Sequence, residues 1–302
     1  MPPAKRSAKK APAKKASAKK APAKKPAEAE PASDDSQSSE TVEPTNFICN
    51  VVPSHDTERD WSFNDALAVG AIEAAALPAS VDLRASWWKI NTQESTGSCV
   101  GWATADGVVR YRMTKSRRIK QSEMLSPRHL WMASKETDSF TARPETFIEE
   151  AGTTLKAALD VARKHGVALE TELPFHIATT MFGGSENTFY ASCAKRRIAS
   201  YFNLRKDLSQ WKKALAAGGP ILAALSVDSG WDNATSNGGK VDTFDPNSVR
   251  GGHAICIVGY RTDGRFIVRN SWGTAWGDGG FAYLKPSYIQ AAFFDESYSV
   301  TL

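Results

Sequence analysis

The first residues in this chain that could do covalent chemistry together are Gln93 and Cys99, six apart in the stretch NTQESTGSCVGWATADGVVRYRM (Asn91–Met113). The thiolate, not the thiol, is the nucleophile, and a free cysteine is only a few per cent ionised near neutral pH. Cys99 falls at the predicted start of a helix, where open backbone N–H groups and the macrodipole favour an anion. No base lies close by in sequence. Of His55, His129, His165, His176 and His253, the last stands out, because Gly251 and Gly252 precede it and an apolar strand follows. Glycines there would let another backbone, such as a substrate's, approach closely. Seventeen residues on, Asn270 ends the next predicted strand, followed by Trp272 and Trp276. An amide can hold an imidazole in one tautomer without adding charge, and tryptophan can keep water from that bond.

The elements that must position these groups change character along the chain. Phe47–Val52 (FICNVV) reads as a short strand, and Trp61–Ala76 shows helical spacing until Pro78. Ser98–Tyr111 is a helix candidate with Val100, Ala103, Val108 and Tyr111 roughly on one side. Ser126–Lys135 opens with Pro127 at a helix-entry position. Thr153–Gly166 has a threonine cap, apolar residues at helical spacing and a closing glycine, and Asp207–Gly219 repeats that design. After Pro220 come short β-type runs, ILAALSV, HAICIVGY, RFIVRN and GFAYLK, between glycine-rich or charged turns. Helices first and strands after predict an α+β fold with a helical lobe and a sheet or barrel lobe.

Composition bounds the rest. The 302 residues carry a formal charge of +5, and its source is local: residues 1–25 hold ten Lys/Arg and no acid, and residues 26–45 hold six acids and no base. The first segment reads as a disordered polycation and the second continues the disorder with the opposite sign, so order is expected from about Asn46. The lysines could bind nucleic acid or another polyanion, or serve only as a solubilising tail. The longest apolar-looking run, Ala66–Leu77, contains Glu73 and is too short for a membrane span. No apolar stretch follows the basic start, which argues against a secretory leader. Four cysteines do not make a disulfide scaffold. With Cys99 active, Cys49, Cys193 and Cys256 remain, an odd number, which favours a reducing, cytoplasmic setting. Cys256 lies in an apolar strand and reads as core, whereas Cys49 and Cys193 could be surface thiols and nothing ties them to chemistry. His129, His165 and His176 lack ligand-spaced neighbours, so no metal site is expected.

Four blocks, LPASVDLR (Leu77–Arg84), TQESTGSCVGWA (Thr92–Ala103), GGHAICIVGY (Gly251–Tyr260) and VRNSWGTAWGDGGFAYL (Val268–Leu284), together resemble the papain-like cysteine peptidases in order and separation. The resemblance covers residues 77–302. It implies a two-lobed fold with the site in the cleft between a helical lobe and a β-barrel-like lobe. By this resemblance Cys99 is the nucleophile, His253 the general acid/base, Asn270 the residue orienting His253, and Gln93 a side-chain oxyanion donor. Gly252, Ala254 and Trp272 are the implied substrate contacts, and no metal or organic cofactor is required. The implied division is a tail over residues 1–45, an extension over 46–77 and a peptidase domain over 78–302.

The chain also departs from the family. Many members have a cysteine three residues before the nucleophile, bridged to another in the helical lobe, and a tryptophan directly after it. Here Thr96 and Val100 stand instead, the partner cysteine is missing around Ile148–Leu155, and a tryptophan comes later as Trp102. No long inhibitory pro-domain is visible. Segments such as TGSCVGWAT look closer to bacterial members. The function implied is hydrolysis of peptide bonds in protein substrates. Two other readings stand beside it: an idle peptide-binding scaffold tethered to nucleic acid by the lysine tail, and a thiol-dependent acyltransferase or amidase on the same fold.

Overall fold

The computed structural model describes residues 47–73, 76–138, 148–176 and 184–302. The basic and acidic segments of residues 1–45 and most of the loop 137–152 lie outside the described residues.

The first-half helices that follow Ser62, Ser126, Thr154 and Ser185 begin where a side-chain oxygen meets an open N–H group, whereas Ser98 ahead of the Cys99 helix makes no such cap. Ser62 and Asp65 form a reciprocal capping box on α1 (Phe63–Ala68). This helix is shorter than the predicted Trp61–Ala76. Gly70 adopts φ +70° just past its end, a left-handed turn that stops the helix there, and Val69 is exposed. A two-residue β1 (Val81–Asp82) follows. The helix carrying Cys99 runs over residues 99–115, longer than expected, as α2 (Cys99–Gly101), a π-type stretch (Trp102–Val109) and α3 (Arg110–Lys115). Ser126 caps α4 (Pro127–Thr137), with Pro127 in its first turn, and Thr154 caps α5 (Leu155–Lys164), close to the predicted limits. The last helix of this half, α6 (Glu186–Cys193), was not expected.

The second half is built on a sheet. Its remaining elements are β2 (Ser200–Asn203), α7 (Leu208–Ala216), β3 (Ile221–Val227), β4 (Lys240–Val241), β5 (Gly251–Tyr260), β6 (Phe266–Arg269), β7 (Phe281–Leu284), α8 (Pro286–Ala292) and β8 (Phe293–Thr301). The strands run in the order β2-β8-β3-β5-β6-β7-β4, with β1 paired to the end of β5. All these pairings are antiparallel except β4–β7.

The central strands are buried on both faces, and their alternation feeds two cores. Leu222, Ala224, Ala254, Cys256 and Val258 join a core with Val100, Val108, Leu130 and Leu159 of the helices. Ile221, Ala223, Leu225, Ile255 and Ile257 turn the other way, toward Trp211, Trp231, Tyr288 and Ile289. This is the α+β, two-lobe arrangement expected. Cys256 is core as predicted.

Two expectations fail. Phe47–Val52 joins no strand: Val51 N–H bonds Gly252 O (2.9 Å) and Val52 N–H bonds Thr153 O (3.2 Å). Those acceptors belong to β5 and to the loop before α5, so no common ladder can form. Cys193 is not a surface thiol but fully buried, and Cys49 is half-buried; all four cysteines are unpaired.

Candidate active site

Cys99 begins α2, which packs against the start of β5. The backbone N–H groups of Ala254, Val100, Asn50 and Cys99 itself all favour its thiolate. Complete burial outweighs them and pushes the thiol up to about 11.

His253 stands on β5, and the register of β5 with β6 carries the residues after Arg269 alongside it. Its Nε2 lies 2.7 Å from Asn270 Oδ1. The polarity of that bond is fixed by a neighbour. Ser271 N–H donates to the same Oδ1 (2.8 Å), so the oxygen, not the NH₂ group, faces the ring. An acceptor there requires the proton on Nε2, which leaves Nδ1 as the basic nitrogen of the neutral ring, and Nδ1 is buried without a hydrogen-bond partner. Burial lowers the His253 pKa to about 4; the Asn270 bond opposes this and Arg250 adds to it. Trp272 packs tilted on the imidazole (4.8 Å between centroids) and Trp231 meets it edge-on (5.8 Å). Trp272 thus covers one face of the ring. Trp231 was missed, because its place in the loop Ser226–Gly252 carries no local signal.

Gln93 is fully buried, and its amide orientation is equally determined. Nε2 donates to the carbonyls of Thr96 (2.9 Å) and Ile48 (3.1 Å), while Oε1 accepts from Ser271 Oγ (2.9 Å). Ser271 also accepts Gln93 N–H on its carbonyl (2.7 Å). One serine therefore orients both amides. Sequence reasoning overlooked it, although a polar residue between Asn270 and Trp272 was a usable signal.

Contacts tie the expected residues to residues 47–51: Cys99 is met by the N–H groups of Ala254 and Asn50, Gln93 by Ile48, Gly252 by Val51, and Trp272, which packs on His253, by Phe47. Phe47 stacks on Trp272 at 4.8 Å and 3°. Ile48 O takes the Gln93 amide, Asn50 N–H faces the Cys99 sulfur, and the Asn50 side chain bonds Glu150 O. Val51 N–H bonds Gly252 O. Both walls make room for a main chain: a Cβ at Gly251 would collide with the carbonyl of Cys49, and one at Gly152 with that of Asn50.

Behind the site, Asp106 on the Cys99 helix is fully buried between Arg110 (2.6 Å) and Arg269 (2.6 Å), the residue before Asn270. Desolvation pushes its carboxyl up, but the guanidiniums of Arg269 and Arg110 outweigh that and hold it below the usual range.

Among the described residues no group of His, Cys, Asp and Glu is arranged to hold a metal ion, and no helix is long and apolar enough to cross a membrane.

Comparison with known proteins agrees with this geometry. Macrodontain-1 of Ananas macrodontes is 25% identical over 216 residues, covering 70% of this chain and 90% of that protein. Xylellain, a cysteine protease from Xylella fastidiosa, shares the fold with a TM-score of 0.69 at 22% identity, over 84% of this chain and 96% of that one. A digestive procathepsin L2 proteinase from the Tenebrio molitor larval midgut superposes with a TM-score of 0.61 at 19% identity, over 85% and 78% of the two chains. The family described as papain family cysteine protease matches residues 77–299, a span that takes in Gln93 through Trp272 and leaves the cleft-filling segment ahead of it. The chain belongs to the papain family of cysteine proteases.

Proposed function

We propose that this protease hydrolyses peptide bonds in protein substrates through an acyl-enzyme on Cys99. His253 Nδ1 takes the thiol proton and returns it to the leaving amine, while Asn270 holds the ring with its proton on Nε2. As the thiolate adds to the carbonyl carbon, negative charge gathers on the carbonyl oxygen. The Gln93 Nε2–H and the Cys99 backbone N–H stabilise it there. Water then enters, gives its proton to His253 and releases the acid. Gly252 pairs with substrate backbone, Ala254 lies beside the sulfur and Trp272 supports the departing segment.

The observation that carries this reading is the 3.1 Å bond from Gln93 Nε2 to a peptide carbonyl, Ile48 O, in the very cleft where Cys99 lies. An idle scaffold would need no side-chain amide held by Ser271 in that orientation. The test is turnover of an unfolded protein and a fluorogenic peptide panel under reducing conditions by wild type and Cys99→Ala. Wild-type cleavage that vanishes in the variant supports the reading, and equal behaviour of the two refutes it. Adding a primary amine acceptor separates hydrolysis from acyl transfer, which would yield amide products in place of acids.

The parts fall into a tail over residues 1–45, an extension over 46–77 and a peptidase domain over 78–302. The extension fills the cleft, so it must move before substrate enters. The unpaired cysteines suit a reducing, cytoplasmic setting. The ten Lys/Arg of residues 1–25 suit a polyanion such as nucleic acid. Retention on DNA should then fall steeply with salt. Flat retention across a salt series contradicts this use of the tail.

A further inference from the structure

The segment in the cleft carries a second thiol. Ile48 O is bonded to Gln93 and Asn50 N–H faces the Cys99 sulfur, so Cys49, the residue between them, crosses beside the nucleophile. Its carbonyl lies against Gly251, two residues before His253, and its thiol is half-buried at 3.7 Å from Phe47 O. Cys193 and Cys256 are buried elsewhere, at the end of α6 and in the helical core. Among the described cysteines Cys49 is thus the one that shares the cleft with Cys99. The two also sense each other's charge: burial and then Cys99 push the Cys49 thiol up to about 12.

The segment is a poor substrate for its own site. In productive hydrolysis the C-terminal part of the substrate leaves with the amine that His253 protonates, so it passes Trp272, which packs on that ring. Here the chain meets Trp272 with Phe47 and reaches the Gly152 wall three residues later with Asn50, which is the opposite sense. It blocks without presenting a bond for cleavage.

Its base is tethered independently. Ser54 Oγ donates to Glu296 Oε1 (2.8 Å), Tyr298 OH donates to Asp60 Oδ2 (2.7 Å), and Lys156 pairs with Asp60. Residues 47–52 can therefore leave the cleft while residues 54–60 keep them near. Tethering of this kind gives the two thiols an effective concentration on the order of millimolar.

We propose that Cys49 is a thiol latch: under a low-molecular-weight disulfide it forms a disulfide with Cys99, locking residues 47–52 over the nucleophile until a thiol reductant reopens it. The inference rests on Cys99 being the nucleophile. The Cys99 thiolate attacks one sulfur of the small disulfide and expels one small thiol. The Cys49 thiolate then attacks the Cys99 sulfur of the mixed disulfide and expels the second. One small disulfide is reduced to two thiols, and two protein thiols become one bond.

The test incubates the full chain with glutathione disulfide, then maps peptides by mass spectrometry without reduction and measures peptidase activity before and after dithiothreitol. The expected result is a Cys49–Cys99 linked peptide exceeding glutathionylated Cys99 by about tenfold or more, with activity lost and then restored. Cys49→Ser should yield no linked peptide and accumulate glutathione on Cys99, with reduced-state activity retained. Persistent glutathionylation of wild-type Cys99 with Cys49 free, or Cys49 linked to another cysteine, overturns the latch. Failure of the nucleophile reading looks different: reduced Cys49→Ser would then turn over no peptide, or would do so equally when Cys99→Ala is added.

Discussion

At the scale of single residues, the site works by fixing the direction of hydrogen bonds. Ser271 gives its N–H to Asn270 Oδ1 and its hydroxyl to Gln93 Oε1, and each gift decides which end of an amide faces its partner. Ser271→Ala removes only the second. Losing one neutral hydrogen bond of about 1 kcal/mol should lower kcat about fivefold with KM little changed, as steady-state kinetics would read. Gln93→Ala, which removes the proposed oxyanion donor, should cost about 10²–10³ in kcat. A loss confined to KM would contradict that role. Protonation follows from burial in the same way. The His253 ring, with its pKa lowered to about 4, should hold its neutral Nε2–H form from pH 7 down to about 5 and charge only near pH 4. Ring ¹⁵N shifts in the resting chain would report this; an imidazolium at pH 6 would refute it.

At the scale of elements, the helix bearing Cys99 and the strand leading to Asn270 are joined by a buried charge cluster. Asp106 takes both Arg110 and Arg269, Trp88 Nε1–H donates to the Asp106 carbonyl (2.6 Å), and the Arg269 guanidinium lies over Trp88 (4.7 Å). Arg269→Met should destabilise by about 3–5 kcal/mol in denaturant unfolding, because it leaves a carboxylate less well paired in the interior. A change below 1 kcal/mol would show that water or Arg110 alone suffices. These elements differ in how readable they were. The motif around Cys99 and the glycines before His253 have local causes, a helix start and a close backbone approach, so the sequence pattern exposed them. β8 was missed because FFDESYSVT holds two acids: Glu296 is buried under Ser54, and Asp295 sits at φ +57° where the β3–β8 register slips. Neither reads as strand until the partners are known. Phe47–Val52 was misread for a related reason. Its apolar run is real, but Phe47 packs against one core and Val51 joins the other, and an apolar run alone cannot name the surface that receives a segment.

At the scale of the whole molecule, residues 47–52 of the N-terminal extension run across Cys99, bonded to Gln93 on one side and to Gly252 on the other. Burial there pushes the Cys99 thiol up to about 11 and lowers His253 to about 4, both in the direction of the un-ionised pair. The sign is fixed by desolvation: uncovering the cleft must lower the thiol pKa and raise that of the imidazole. Phe47→Ala, which forfeits the stack on Trp272, should shift the closed–open balance by about 0.5–1.5 kcal/mol. Iodoacetamide labelling of Cys99 at pH 7 should then quicken by about two- to tenfold. An unchanged rate would mean that the segment does not guard the sulfur.

The most direct measurement is the mass of the intact protein quenched in acid during turnover of a slowly deacylating peptide ester, with the modified residue located by fragmentation. A peptide acyl group on Cys99, formed and discharged in step with product and absent from Cys99→Ala, is the predicted result. Turnover without an adduct on Cys99, or undiminished in Cys99→Ala, would contradict the account.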